Sequence, residues 1–208
     1  MWLKRLVDLV VAATALIALS PVIAVLAVSI RLLDGSPVLF RQLRSGRRGR
    51  PFRLYKFRTM RSADSNFDPS TDAVRITRLG RMLRSSSLDE LPSLVNVILG
   101  DMSLVGPRPL PVEYLDRYSP EQRQRLEMRP GITGLAQVRG RNLLNWEDRF
   151  ALDVEYVKNH SLRGDLRLLA DTVRPVLLRQ GVSADGEVTM TEFLGSLPPE
   201  GEAPGDAR

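Results

Sequence analysis

Hydrophobic positions along this chain change their period from one stretch to the next. From Leu9 to Ile30 almost every residue is apolar, LVVAATALIALSPVIAVLAVSI, a run long enough to cross a bilayer as a helix. Residues 37–40 and 51–55 are short strand-like runs separated by Ser45-Gly46-Arg47-Arg48-Gly49, which predicts a hairpin. A strand continuing through 56–60 would send Lys56 and Arg58 to one face and Phe57 to the other. Farther on the spacing is helical. Residues 75–84 set Ile76, Leu79, Met82 and Leu83 apart from Arg75, Arg78 and Arg81, a basic amphipathic helix that suits a membrane interface or a core equally. Leu91, Leu94, Val95, Ile98 and Leu99 predict a helix starting near Leu88, capped by Ser85 to Ser87 and stopped at Gly100. A charged helix is expected over 112–128 with an edge of Tyr114, Leu115 and Tyr118, restarting at Ser119-Pro120. Residues 129–134 read as turns and 135–138 as a brief strand, and helices are expected over 146–159 and 162–178. A polar loop is expected over 62–71, and disorder over the Gly, Pro and acid-rich tail 198–208.

The long apolar run admits three readings. A cleaved signal peptide fits poorly, because the run is too long and Arg31-Leu32-Leu33-Asp34 is no small-residue cleavage site. A straight spanning helix is the usual reading. Against it, Ser20-Pro21 sits mid-run, where proline removes a backbone hydrogen bond and the serine can satisfy the freed carbonyl. Both flanks are also basic, Lys4 and Arg5 before and Arg31, Arg41 and Arg44 after, whereas a span carries its positive flank on one side. Two positive flanks fit a helix that enters, bends and returns.

The chain has 208 residues, one domain's worth, with no cysteine and a single histidine, His160. Disulfides, thiolate nucleophiles, cysteine zinc sites and serine-histidine hydrolysis are thereby disfavoured, and the chemistry must rest on Asp, Glu, Arg and Lys. The net charge of +6 is concentrated in residues 1–112, the half that carries the apolar run. That pairing points to an anionic membrane surface or phosphate-rich substrates rather than nucleic acid, and few aromatics flank the basic runs to stack bases.

Leu88 to Pro109, LDELPSLVNVILGDMSLVGPRP, holds the densest candidate chemistry. Asp89 and Glu90 in a first helical turn commonly do no more than offset the helix dipole. Here they are followed by Arg108 between Pro107 and Pro109, a guanidinium presented from a stiff loop and suited to a phosphate oxygen. Adjacent carboxylates point about 100° apart on a helix, so one can serve a hard cation such as magnesium while the other attacks.

DELPSLVNVILGDMSLVGPRP, with KFRTM before it and RPGITGLAQVRGRN after it, resembles the bacterial sugar transferases that are monotopic phosphoglycosyl transferases, over roughly residues 1 to 195. The resemblance implies a re-entrant helix broken at Ser20-Pro21 and an N-terminal anchor pattern of Lys4, Arg5 and Asp8, where Lys4 and Asp8 also form an ordinary i,i+4 pair. It implies Asp89 as nucleophile, Glu90 as ligand for Mg2+, and Arg84, Lys56, Arg58, Arg141 and Pro107-Arg108-Pro109 around substrate phosphates. Asp153, Tyr156 and Asp165 match positions the family keeps polar, although residue by residue they read as exposed helical polar groups. The implied substrates are a nucleotide diphosphate sugar, expected to be UDP-linked, and undecaprenyl (polyprenol) phosphate at the cytoplasmic face of the bacterial inner membrane. A homodimer is compatible with this. The expected fold is α+β: a re-entrant membrane helix hairpin over 1–33, a compact, mainly helical catalytic domain with a small antiparallel sheet over 34–197, and the tail. A non-catalytic membrane scaffold is the competing function, and the joint presence of Asp89, Glu90 and Arg108 counts against it.

Overall fold

A computed structural model of the chain describes residues 2–61, 72–140, 144–177 and 192–195, the side chains of 72, 73 and 173–177 excepted. The loop expected at 62–71, Arg141 and the tail lie outside the described residues.

The apolar run forms α1 (Trp2–Leu33), one helical element of 32 residues with Pro21 inside it. Pro21 has no N–H for the Ile17 carbonyl, and the Ser20 hydroxyl donates to that carbonyl at 2.8 Å. Large apolar side chains point away from the protein, Ile17 at 76% and Val25 at 65% exposure. The rest of α1 is tied down on both sides of the proline. Ala12 is buried in the main core with Leu94, Val97, Leu104 and Val105. Leu26 and Ile30 pack on Phe57 and Leu83. Both halves of α1 therefore rest on the same globular body.

That body begins with the expected hairpin. Strands β1 (Leu39–Ser45) and β2 (Pro51–Phe57) pair antiparallel from Leu39↔Phe57 to Ser45↔Pro51 around a 3-10 turn, Arg47–Gly49. The strand ends at Phe57, so Arg58 lies beyond it and does not continue the alternation.

The amphipathic stretch is broken: α2 (Asp72–Arg75) is followed by a bridge from Ile76 to Met60, and Thr77 then caps α3 (Arg78–Ser85), accepting from the Gly80 amide at 2.8 Å. The helix expected from Leu88 is likewise two pieces, a 3-10 turn Leu88–Glu90 and α4 (Ser93–Leu99), with Gly100 in the left-handed conformation as its C-terminal stop. The expected serine cap is absent. Ser85 and Ser86 donate backwards to the Met82 carbonyl, and Ser87 turns the chain at φ 57°. The charged helix expected at 112–128 is a 3-10 segment Val112–Arg117, a one-turn helix α5 (Pro120–Arg123) started by Ser119, and a second 3-10 segment, Gln124–Glu127.

Two readings around residue 131 are corrected. The turn-dense stretch contains a strand, β4 (Gly131–Thr133), parallel to β3 (Ser103–Val105), and the strand expected at 135–138 is helix α6 (Leu135–Arg139). The glycines explain the first: a Cβ on Gly131 would sit 2.1 Å from the Gly106 amide, and one on Gly134 2.2 Å from the Gly106 carbonyl. Close backbone approach lets the two short segments pair. Helices α7 (Trp146–Lys158) and α8 (Leu162–Leu177) close the fold where the period placed them. Tyr114, Tyr118, Phe150 and Phe193, with Trp146 against them, form a second apolar cluster.

Candidate active site

The 3-10 turn after Ser87 puts Asp89 and Glu90 on a tight corner whose flanking Leu88 and Leu91 pack on the Leu26, Ile30, Phe57 and Leu83 cluster. Asp89 is 9% exposed. Lys56 arrives from β2, whose edge is stitched to α4. Asn96 accepts from the Tyr55 amide at 3.0 Å and donates to the Arg53 carbonyl at 2.7 Å, while Ser93 donates to the Tyr55 carbonyl at 2.8 Å. That stitching sets the Lys56 ammonium 2.5 Å from Glu90 Oε1.

Arg108 comes to the same oxygen from the other side at 3.1 Å. Its loop is braced from behind. Arg125 donates to the Arg108 carbonyl at 2.6 Å and to Asp153 Oδ2 at 2.7 and 3.0 Å, and both members of that pair are buried. Upstream, β3 is held by Asp8, which accepts from the Ser103 hydroxyl at 2.7 Å and the Leu104 amide at 3.2 Å.

The electrostatics separate the two acids. Burial pushes Glu90 up, but Lys56 and Arg108 outweigh it and hold the carboxyl at about 2. For Asp89 burial dominates and the Glu90 charge adds to it; Lys56, Arg84 and Arg108 offset only part, and its carboxyl rises to about 6. Burial also pulls Lys56 down, and the Glu90 charge raises Arg108. A permanently ionised Glu90 clamped by two cations thus sits beside a carboxyl that titrates just below neutrality. Environments that push neighbouring carboxyls apart give them different tasks.

Of the residues singled out from sequence, Asp89, Glu90, Lys56 and Arg108 converge. Arg84 joins them through its charge on Asp89, its Nε donating to the Thr59 hydroxyl at 3.0 Å. Pro107 and Pro109 contribute carbonyls, Pro107 accepting from the Gly131 amide at 2.9 Å. Arg58 turns the other way, to the carbonyls of Ser36 and Asp34, and braces the exit from α1. At the N-terminus Lys4 lies 3.7 Å from Asp8 as expected, yet reaches closer to Asp165, at 2.7 Å. Arg5 donates to the carbonyls of Val97 and Ile98 at the end of α4. Asp153, Tyr156 and Asp165 are all buried, which corrects the exposed reading: Tyr156 donates to Asp165 at 2.7 Å, and Asp153 meets Arg125. Sequence reading missed Arg125 altogether. Its partner lies 28 residues away, so no local pattern marks it.

Among the described residues no group of three or more His, Asp or Glu forms a ready metal cage. The donor set still fits magnesium, which takes one or two carboxylates and draws its remaining oxygens from substrate phosphates. Lys56 and Arg108 both engage Oε1 of Glu90, so Oε2 is the Glu90 oxygen that would meet a cation.

Buried Asp89 and half-buried Glu90 lie among a lysine and two arginines on a body that carries an apolar helix, an arrangement suited to handling phosphate at an apolar boundary. The bacterial sugar transferase family model matches residues 1–179, and the chain belongs to that family; it is an enzyme that transfers sugar-phosphate. It is 50% identical over 197 residues to the sugar transferase EpsL of Bacillus subtilis, covering 94% of this chain and 98% of the relative. It is 42% identical over 185 residues to the UDP-glucose:undecaprenyl-phosphate glucose-1-phosphate transferase of Caulobacter vibrioides, 84% of this chain and 69% of the relative. Identity to the exopolysaccharide production protein ExoY of Sinorhizobium fredii is 37% over 196 residues, 86% and 87% of the two chains.

Proposed function

We propose that the chain moves a phosphosugar from a UDP-sugar to undecaprenyl phosphate at the cytoplasmic face of the inner membrane, giving undecaprenyl diphosphosugar and UMP. The observation that carries this reading is the convergence of Asp89 and Glu90 with Lys56, Arg84 and Arg108, with Glu90 Oε1 held by Lys56 at 2.5 Å and by Arg108 at 3.1 Å. Asp89, ionised just above pH 6, attacks the sugar-proximal phosphorus; the bond to the bridging oxygen breaks, and its electron pair leaves with UMP. The phosphosugar stays on Asp89 until an oxygen of the lipid phosphate attacks the same phosphorus and restores the carboxylate. Splitting the transfer suits a site that meets a soluble and a lipid substrate in turn.

Lys56 and Arg108 keep Glu90 ionised and placed, and Arg108 and Arg84 offset phosphate charge as it shifts. Glu90, with Asp89 beside it, would hold Mg2+, which when bound polarises the diphosphate oxygens. The membrane seat is a re-entrant one, supported by Lys4, Arg5 and Asp8 before Pro21 and Leu26 and Ile30 after it all contacting one body. A spanning helix would carry one of those ends away from the domain.

Intact-protein mass spectrometry tests the mechanism. With UDP-sugar and Mg2+ but no lipid, the wild-type mass is expected to rise by one phosphosugar, and Asp89→Asn to show neither adduct nor turnover. Turnover with no adduct under rapid quench would replace the covalent route by direct transfer, and an adduct mapped to Glu90 would exchange the two roles.

A further inference from the structure

The β1–β2 hairpin carries an exposed aromatic beside the acids that the mechanism above does not use. Phe40 stands directly opposite Lys56 in the register, so the two side chains share one face of the ribbon, with Cβ atoms about 4.5–5.5 Å apart. Lys56 holds Glu90 Oε1 at 2.5 Å, whereas Phe40 is 46% exposed. The same face continues through Gln42, opposite Leu54, and Arg44, opposite Phe52. Leu54 and Phe52 are buried in the main core, so this is the inward face of the ribbon. A large apolar ring on an inward face, next to the lysine of the site and still open, is unusual for a core position.

The row Phe40, Gln42, Arg44 has an apolar end and a polar one. Val38 and Leu39, just before Phe40, pack on the cluster of Leu26 and Ile30 from α1 with Phe57 and Leu83. At the other end Arg44 donates to Gln42 Oε1 at 2.5 Å, and its Nη1 lies 3.5 Å from the carbonyl of Pro109, the neighbour of Arg108. Phe40 therefore lies where the row meets the apolar helix, and Arg44 lies where it meets the arginine loop.

The two substrates differ in what they attach to phosphate. A sugar nucleotide has polar groups on both sides of its diphosphate. A polyprenol phosphate has a single phosphate whose ester oxygen leads straight into hydrocarbon, and that hydrocarbon favours an apolar surface over water. A site that holds the lipid phosphate beside Lys56 must offer such a surface within a side chain's reach, on the side from which α1 is approached. Phe40 meets both conditions.

We infer that Phe40 is the contact for the first isoprene units of the lipid acceptor, the residue through which the site selects a phosphate bearing an isoprenoid chain. This rests on polyprenol phosphate being the acceptor, as proposed above, and is independent of the covalent route.

Steady-state transfer by purified, detergent-solubilised full-length protein tests the assignment. The donor is the UDP-sugar that gives the highest wild-type rate, and the acceptor is undecaprenyl phosphate or neryl phosphate, which keeps the phosphate end of such a chain and lacks its tail. Phe40→Ala is expected to raise the KM for both acceptors about tenfold, with kcat and the donor KM within about twofold of wild type. Phe40→Leu, which stays apolar and serves where the alanine variant melts early, is expected to fall between the two. An effect on undecaprenyl phosphate alone would move the contact further along the chain and overturn the assignment. A raised donor KM with unchanged acceptor KM would give Phe40 to the base or the sugar and overturn it as well. Loss of binding to phosphatidylglycerol vesicles in step with the loss of rate would make Phe40 a contact to bulk membrane instead. Absence of transfer by the wild type would remove the lipid acceptor and this subsite with it, whereas transfer with an unchanged acceptor KM in Phe40→Ala removes the subsite alone.

Discussion

At Asp89 the fold holds a carboxyl that is easier to protonate than in the unfolded chain, about 6 against 3.8. A raised carboxyl pKa contributes stability that is fully present below the unfolded value and lost as pH rises through the folded one, so at neutral pH ionised Asp89 is a net cost. Two pKa units correspond to about 3 kcal/mol, and Asp89→Asn is expected to recover on the order of 1–3 kcal/mol in thermal or denaturant unfolding while abolishing adduct formation. Glu90 has the opposite sign: lowered from 4.5 to about 2, it stabilises above its unfolded value and loses that as pH falls. Glu90→Gln leaves Lys56 and Arg108 facing no anion and is expected to destabilise by about 2–3 kcal/mol, discounted because Arg108 is 37% exposed. Neighbouring carboxyls with opposite stability effects are the signature to look for. The rate of adduct formation is expected to rise with pH through about 6, following the Asp89 carboxylate; a flat profile from pH 5 to 8 would remove Asp89 as the attacking group. The identities of Asp89, Glu90 and Arg108 were legible in the sequence because two acids and a proline-locked arginine crowd one stretch. Their difference in acidity was not, because it comes from Lys56, 34 residues upstream of Glu90, and from burial.

Among the elements, the short ones carry the site and the long ones carry the frame. Helices α7 and α8 and strand β2 follow their hydrophobic period, since each has enough turns or pairs to bury one face, whereas Phe40 and Leu43 of β1 are exposed. The 3-10 corner at Leu88–Glu90 has no period of its own and exists because Ser87 turns the chain into a space bounded by β2 and α3. The parallel β3–β4 pair was equally invisible, as its partners meet through glycines at 106, 131 and 134. Arg125 and Asp153 join the 3-10 segment Gln124–Glu127 to α7 and hold the Arg108 carbonyl. Removing one member of a buried pair leaves the other charged and unpaired, so Asp153→Asn is expected to cost about 3–5 kcal/mol in denaturant unfolding. Among molecules that remain folded, turnover is expected to fall as well, because Arg108 loses its backbone brace. Unchanged stability would show that the pair is replaced by water.

For the molecule as a whole, the way α1 lies on the body sets its relation to a membrane. Contacts from Lys4, Arg5 and Asp8 at one end and Leu26, Ile30 and Asp34 at the other bind both ends to the same domain, and the apolar surface around Ile17 is left outward. Single cysteines at residues 2 and 36, in a chain that has none of its own, are expected to label from the same side of sealed inner-membrane vesicles. Labelling from opposite sides would make α1 a span. The sequence by itself determined the long apolar helix with Pro21 inside it, the hairpin, the terminal helices and the acid pair with its proline-flanked arginine. Each of these is written in contiguous residues through period, composition or local stiffness. The tertiary structure alone decided that Arg58 serves the exit from α1, that Asp8, Asp153 and Asp165 are buried partners, and that Arg125 braces the Arg108 carbonyl. Those roles depend on which distant side chains share a desolvated space, and burial with long-range charge leaves no periodic trace in a single chain.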